Sequence, residues 1–314
     1  MPTHPSGVPA PQPFAHPALF YRDEQEYLAG TVPFVQDALA AGEPVAVAVP
    51  GGSLALVRAA LGGQAADVQL LDMERAGRNP GRIIPRVLRA FADGHPGRRV
   101  RIVSEPVWAG RTAAEYPACV QHEALVNRAF QGREATVLCP YDATRLDESV
   151  LADARAAHPT VIDAGTRAAS AAYAPEALAA RYNLPLSAPP GAVATVYRAT
   201  TLTDVRHEAT CRAAAFGLGA PRLDDLELAV AELTTNSVVH GGGQGALRIW
   251  AEDQHVVCEV RDAGVVGDPL AGRHLPPRGQ HGGRGLLLVN VVADLVRTHS
   301  DPERGTTTHV YFRR

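Results

Sequence analysis

The chain contains no lysine: all 30 of its strongly basic residues are arginine. That absence removes whole classes of mechanism. There is no phosphate-loop lysine, no Schiff-base amine and no strand lysine of the protein-kinase kind. Any phosphate must be held by arginine, backbone amides or a metal. Cysteine is scarce, and Cys119, Cys139, Cys211 and Cys258 form no CxxC pair. The spacing argues against a zinc site or a disulfide framework and for reduced, buried thiols. No apolar run reaches the length of a membrane span, and residues 1–13 lack the charged start and apolar core of a signal peptide. A soluble, cytoplasmic protein without membrane contact is expected. The net charge of −3 gives no electrostatic basis for nucleic-acid binding.

What is present is globular. Apolar residues make up 46% of the 314 positions, enough for two domains with cores of their own. Residues 1–15 read as a disordered tail. Residues 23–41 read as an amphipathic helix with Tyr27, Phe34, Val35 and Leu39 inward, kinked or split at Pro33. Strands are expected at 45–49, 68–71, 100–104 and 135–139. Helices are expected between them: one through Leu61 with Ser53 as its N-cap, one over 82–92 and one over 113–130. This alternation predicts an α/β/α domain around a mainly parallel sheet.

Ligands of such sheets collect beyond the carboxyl ends of the strands. The residues there are Gly51, Gly52, Ser53, Asp72, Glu105, Trp108, Tyr141 and Asp142. Gly51-Gly52-Ser53 could cradle an anion, but a plain tight turn uses the same residues. Glu105 and Trp108 suit a small-ligand pocket or a structural loop. His122-Glu123 lies within a helix, where a packed His-Glu pair competes with a phosphoacceptor role. Residues 164–182 read as an Ala-rich helix broken at Pro175, and 184–191 as a Pro-rich extended linker.

The densest chemistry follows. Glu232, Asn236 and His240 recur every four residues, drifting about 40° per step, so they line one helix face. Leu223, Leu226, Val230 and Leu233 form a separate apolar stripe. An amide oxygen is a hard ligand for Mg²⁺, and a carboxylate one turn earlier can orient or deprotonate a nucleophile. Strands at 246–252 and 256–261 pair across a turn, and Asp262-Ala263-Gly264 follows at once. Such a carboxylate can accept from an amino group while the glycine lets backbone approach a flat ring. Residues 268–280 suit a lid. Gly283-Arg284-Gly285-Leu286 opens a helix and so offers bare amides to phosphate, with Arg284 as a further donor. Gly305-Thr306-Thr307 adds hydroxyls that can reach phosphate or satisfy a turn.

Two resemblances follow from these residues. Phe20-Tyr21, Gly42-Glu43-Pro44-Val45, residues 101–108, residues 122–127 and Cys139-Pro140-Tyr141-Asp142 resemble the MEDS sensory domain of methanogen, methylotroph and DcmR regulators. That implies a degraded RecA-like core over residues 16–183, responsive to a small-molecule or protein signal. The set Glu-x-x-x-Asn-x-x-x-His, Asp-x-Gly, Gly-x-Arg-Gly-Leu and Gly-Thr-Thr resembles the ATP site of the GHKL superfamily. Within it, residues 192–314 are most similar to anti-sigma-factor serine kinases of the RsbW/SpoIIAB type.

The second resemblance implies an α/β sandwich with helices on one face of a mixed, mostly antiparallel sheet. Its cofactors would be ATP and Mg²⁺. By motif, Glu232 is the base, Asn236 the Mg²⁺ ligand and Asp262 the adenine contact. Gly264, Gly283, Arg284, Gly285 and Leu286 form the lid and phosphate loop. Thr306 and Thr307 close the pocket, with His240 in support. The implied function is phosphorylation of a Ser/Thr on a STAS-type anti-sigma-factor antagonist, with a sigma factor as the other partner and homodimers common among such kinases. A non-catalytic nucleotide switch and a sensor histidine kinase are the alternatives. Gly241-Gly242-Gly243, compact after the motif helix, departs from the kinases and bears on which elements cover a sigma factor.

Overall fold

A computed structural model describes residues 14–274 and 283–314. Most of the expected tail, the later part of the expected lid and His281-Gly282 lie outside the described residues.

The N-terminal half alternates strand and helix, as its apolar punctuation requires. It runs β1 (Phe14–Ala15), β2 (Pro17–Tyr21), α1 (Glu24–Ala40), β3 (Val45–Val49), α2 (Gly51–Leu61), β4 (Gln69–Asp72) and α3 (Met73–Ala76). A wide-turned helical stretch over Ile84–Leu88 leads into α4 (Arg89–Asp93), then β5 (Val100–Ser104), α5 (Tyr116–Ala129), β6 (Ala135–Asp142) and α6 (Glu148–Ala157). It closes with β7 (Thr160–Asp163), β8 (Thr166–Ala169) and α7 (Pro175–Arg181). The strand order is β4-β3-β5-β6-β2-β7-β8, with β1 also on β6, and every pair is parallel except β7–β8.

The central strands of this sheet are covered on both faces and are correspondingly apolar, whereas β8 at the edge is exposed. β3 shows the division: Val45, Val47 and Val49 pack with Val35 of α1 and Val57 of α2, while Ala46 and Ala48 face the α4, α5 and α6 side. The small residues let the crowded face approach closely.

Five local expectations are corrected. Residues 14–15, read as the end of the tail, form β1 against β6. Helix α1 runs unbroken through Pro33, which sits on its exposed side where a freed carbonyl meets water. Ser53 does not cap α2; the helix starts two residues earlier, behind Pro50. Only the later part of the Ala-rich stretch read as helix is helical, as α7; its first six residues belong to the β7–β8 hairpin, because Ala164 (φ 46°) and Gly165 (φ 76°) form a tight left-handed turn. Cys211 is exposed, unlike the other three thiols.

The C-terminal half comprises β9 (Thr195–Arg198), α8 (Leu202–Ala215), α9 (Ala220–His240), β10 (Gln244–Glu252), β11 (His255–Asp262), α10 (Gly285–Val292), β12 (Leu295–Asp301) and β13 (Gly305–Arg313). Its sheet order is β12-β13-β11-β10-β9. Every described pair is antiparallel, in line with the mostly antiparallel sheet expected. Leu226, Ala229, Val230 and Leu233 of α9 and Val205, Ala209 and Ala213 of α8 bury one helix face on Leu247, Val256, Cys258, Val260 and Val310. Two α/β domains result, the first around a mainly parallel sheet and the second an antiparallel sheet carrying its helices on one face.

The halves meet through polar contacts. Asn79 donates from Nδ2 to the Asn290 carbonyl at 2.8 Å, and its Oδ1 accepts from the Val296 amide at 3.4 Å. Gly81 lies so close to Asn290 that a Cβ there would overlap the Asn290 carboxamide. Asn183, just before the expected linker, grips β12: it donates to the Ser300 carbonyl at 2.8 Å and accepts from the Ser300 amide at 3.1 Å.

Candidate nucleotide site

Helix α9 sets the site by its two-sided pattern. With the leucine stripe buried, Glu232 and Asn236 come out half-buried on the flank facing the start of α10. Gly285 opens α10 there. A Cβ on Gly285 would overlap Glu232 Oε2 and come within 3.6 Å of Asn236 Nδ2. Glycine is therefore the residue that lets the α10 amides reach this carboxylate and carboxamide. Gly283, at φ 78°, makes the turn that aims the helix. The first amides of α10, without partners among the described residues, and the positive end of its dipole then border Asn236, which favours an anion there.

One turn further along α9 lies the second half of the site. Asp262, at the end of β11, accepts from Ser237 Oγ at 2.6 Å and from the Gly264 amide at 2.8 Å. Tyr197 of β9 donates to the same Ser237 hydroxyl at 2.9 Å. Neither Gly241 nor Gly264 leaves room for a Cβ, which would run into Asp262 at the first and the His240 carbonyl at the second. Thr306, paired with Asp262 across the sheet, donates to the Gly264 carbonyl at 2.8 Å. The backbone around Asp262 is thus held from three sides.

Glu232, Asn236, Asp262, Gly264, Gly285 and Thr306 therefore share one region. Three expected members stand differently. His240 ends α9 exposed, and its carbonyl rather than its ring borders Gly264. Thr307 points to the opposite face of β13 from Thr306, because neighbouring strand residues alternate. Leu286 packs its side chain into the domain core, leaving only its backbone for a ligand. Gly283 and Arg284 are exposed beside the opening of α10. The residues missed from sequence are Ser237, Tyr197 and Gly241. Ser237 had a signal, a hydroxyl next to Asn236 facing the strand that ends in Asp262. Tyr197 had none.

The candidates in the first half divide. Asp72 and Asp142 hold the next turns, each accepting an amide at 3.0 Å, and Trp108 lies under the Arg111 guanidinium at 3.8 Å. Glu105 is buried at 3% exposure, with the Tyr21 hydroxyl on Oε1 at 3.3 Å. Burial pushes its carboxyl up to about 8, against the hydrogen bonds from Tyr21 and Ser53. The folded protein therefore binds a proton that the unfolded chain has lost, between the ordinary carboxylate range and about pH 8. Stability from this group is full below that window and falls as pH rises through it. Melting curves of Glu105→Gln should show a shallower decline than wild type over that window. An equal decline in both would dismiss the effect.

His122 and Glu123 are both buried inside the domain, and burial pushes His122 down to about 3. A phosphoacceptor must meet the γ-phosphate in solvent reach, so His122 does not supply one.

An antiparallel sheet with helices on one face, a carboxylate and carboxamide on α9 and a braced Asp at a strand end define a GHKL-type ATPase domain. Comparison with known proteins agrees. Residues 196–312 match the histidine kinase-like ATPase domain family, and residues 15–159 match MEDS, the MEthanogen/methylotroph, DcmR sensory domain. Two anti-sigma F factors from Bacillus licheniformis, one assigned to strain ATCC 14580, are each 31% identical over 98 residues, covering 28% of this chain and 67% of theirs. The chain belongs to the histidine kinase-like ATPases related to anti-sigma F factor, and carries a MEDS sensory domain ahead of that ATPase domain. No helix among the described residues is long and apolar enough to cross a membrane.

Proposed function

We propose that this protein is an ATP- and Mg²⁺-dependent serine/threonine kinase. It phosphorylates a STAS-type antagonist and holds a sigma factor, under control of the MEDS domain. The observation that carries the reading is the fit of Gly285 against Glu232 and Asn236. It sets phosphate-binding amides, a hard amide ligand and a carboxylate around one point.

The residues present suit the metal: the Asn236 amide oxygen would hold Mg²⁺, which supplies charge neutralisation on the triphosphate. Asp262 accepts the adenine amino group. The α10 amides and Arg284 hold phosphate oxygens. Glu232 takes the proton of the attacking serine hydroxyl as its oxygen bonds to the γ-phosphorus and the bond from that phosphorus to the β,γ-bridging oxygen breaks, so that ADP leaves. Positioning and electrostatics carry the rest.

Control by the first domain rests on the Asn79 contact. Asn290 donates to the carbonyls of Gly272 and Leu286 at 3.1 Å each, so the residue gripped by Asn79 also holds the approach to the lid. Asn183 grips Ser300, whose hydroxyl lies 3.0 Å from that of Thr306, and Thr306 holds Gly264. Both routes end at the nucleotide.

The experiment is phosphate transfer from labelled ATP to a purified antagonist, with and without chelation of Mg²⁺. Acid-stable phosphate on the antagonist, lost on chelation, is expected. Nucleotide binding without any transfer would reduce the protein to a nucleotide-gated binding module. In the same assay Asn79→Ala should change the transfer rate in a chain that still folds, with a lower melting temperature from the buried groups it leaves unpaired, and an unchanged rate would remove this contact from control.

A further inference from the structure

Four side chains that no part of the nucleotide chemistry uses converge inside the MEDS domain. They are His16 before β2, Glu123 on α5, Cys139 on β6 and His158 after α6. All are buried, and their donor atoms lie within 4.8 Å of one another. His16 Nε2 is 3.3 Å from Glu123 Oε2 and 3.3 Å from Cys139 Sγ. Glu123 Oε2 is 3.4 Å from His158 Nε2 and 3.7 Å from Cys139 Sγ.

The far side of each imidazole fixes what faces inward. His158 Nδ1 lies 2.7 Å from the Ala154 carbonyl, which can only accept, so Nδ1 carries the proton. His16 Nδ1 lies 3.2 Å from Asn127 Oδ1. The Asn127 amide is oriented by its own donation to the Ala157 carbonyl at 2.8 Å, so here too Nδ1 is the donor. Both Nε2 lone pairs therefore aim at a carboxylate oxygen. His158 Nε2 and Glu123 Oε1 have no hydrogen-bond partner among the described residues. Acceptors facing acceptors in a dry interior are costly unless a cation sits between them.

We propose that His16, Glu123, Cys139 and His158 form a binding site for one divalent transition-metal ion of the zinc type. A tetrahedral ion about 2.0–2.3 Å from its ligands sets its donors about 3.3–3.7 Å apart, the spacing of the four pairs above. Two neutral imidazoles, one carboxylate and one thiolate carry a charge of −2, so the filled site is neutral and can be buried. The carbonyls behind the imidazoles are the outer partners that metal-bound histidines use. A cavity of about 10 Å³ lined by Glu123, Tyr141 and Tyr116 adjoins the cluster, room for one water. Cysteine spacing argued against a zinc site because it looks for neighbouring ligands, whereas these come from four separate elements. Helix α5, which supplies Glu123, also packs on residues 80–82, so an ion here would act on the segment that touches α10.

The test uses the full chain stripped with chelator and titrated with Co²⁺, in a Cys211→Ser background because exposed Cys211 lies 3.5 Å from His207. One equivalent should bind, with tetrahedral ligand-field bands and a thiolate-to-cobalt charge-transfer band, and Zn²⁺ should displace it. Cys139→Ser should lose the charge-transfer band, and His16→Ala should weaken binding about tenfold or more. A folded, stripped chain that takes up no stoichiometric Co²⁺ or Zn²⁺ would overturn the site. So would a charge-transfer band that survives Cys139→Ser in a folded protein.

Discussion

Glu232→Gln should lower phosphoryl transfer by about 10²–10⁴-fold, the range of a lost general base, while nucleotide affinity stays within about threefold. Glutamine has the size of glutamate and keeps the contact with the glycine that opens α10. Its amide cannot take a proton. The serine hydroxyl would then reach phosphorus still protonated, and that defect appears only in the transition state. Single-turnover transfer separates the chemical step from release of product. Transfer within threefold of wild type at saturating ATP would leave Glu232 a positioning residue or a bystander.

The site was legible in sequence because its parts are local. Glu232 and Asn236 are one helical turn apart, and periodicity alone places them on the flank beside the leucine stripe. Asp262 ends a strand whose alternation is unmistakable. What distance in sequence hides is assembly. The hydroxyl bridge from Tyr197 through Ser237 to Asp262 joins β9, α9 and β11, and no short pattern connects them. Parity misled in the other direction: Thr306 and Thr307 read alike as letters, yet the pleat sends them to opposite faces of β13.

In the first domain the strand series was plain from valine-rich runs. The hairpin of β7 and β8 was not, since its alanines favour helix and only Ala164-Gly165 marks the turn. The contact of Asn79 with Asn290 spans 211 positions. Such contacts between halves are set by shape, and a single asparagine carries no sign of them.

Asp262→Asn should raise the dissociation constant for ATP and ADP by about 10–100-fold, the worth of a charge-assisted hydrogen bond of about 1.5–3 kcal/mol. The carboxylate offers an acceptor lone pair on each oxygen beyond those used by Ser237 and Gly264. Asparagine must turn its oxygen to the Gly264 amide, since two donors cannot face each other. Its NH₂ then meets Ser237, whose hydroxyl can swing its proton to the Leu233 carbonyl, 3.1 Å away. The fold tolerates the change, so the melting temperature without nucleotide should hold. The adenine amino group loses its acceptor and meets a donor instead. Calorimetry with adenine and hypoxanthine nucleotides checks the cause. The variant should lose most of the preference for the amino-bearing base, and a full preference retained at wild-type affinity would place the base of the nucleotide elsewhere.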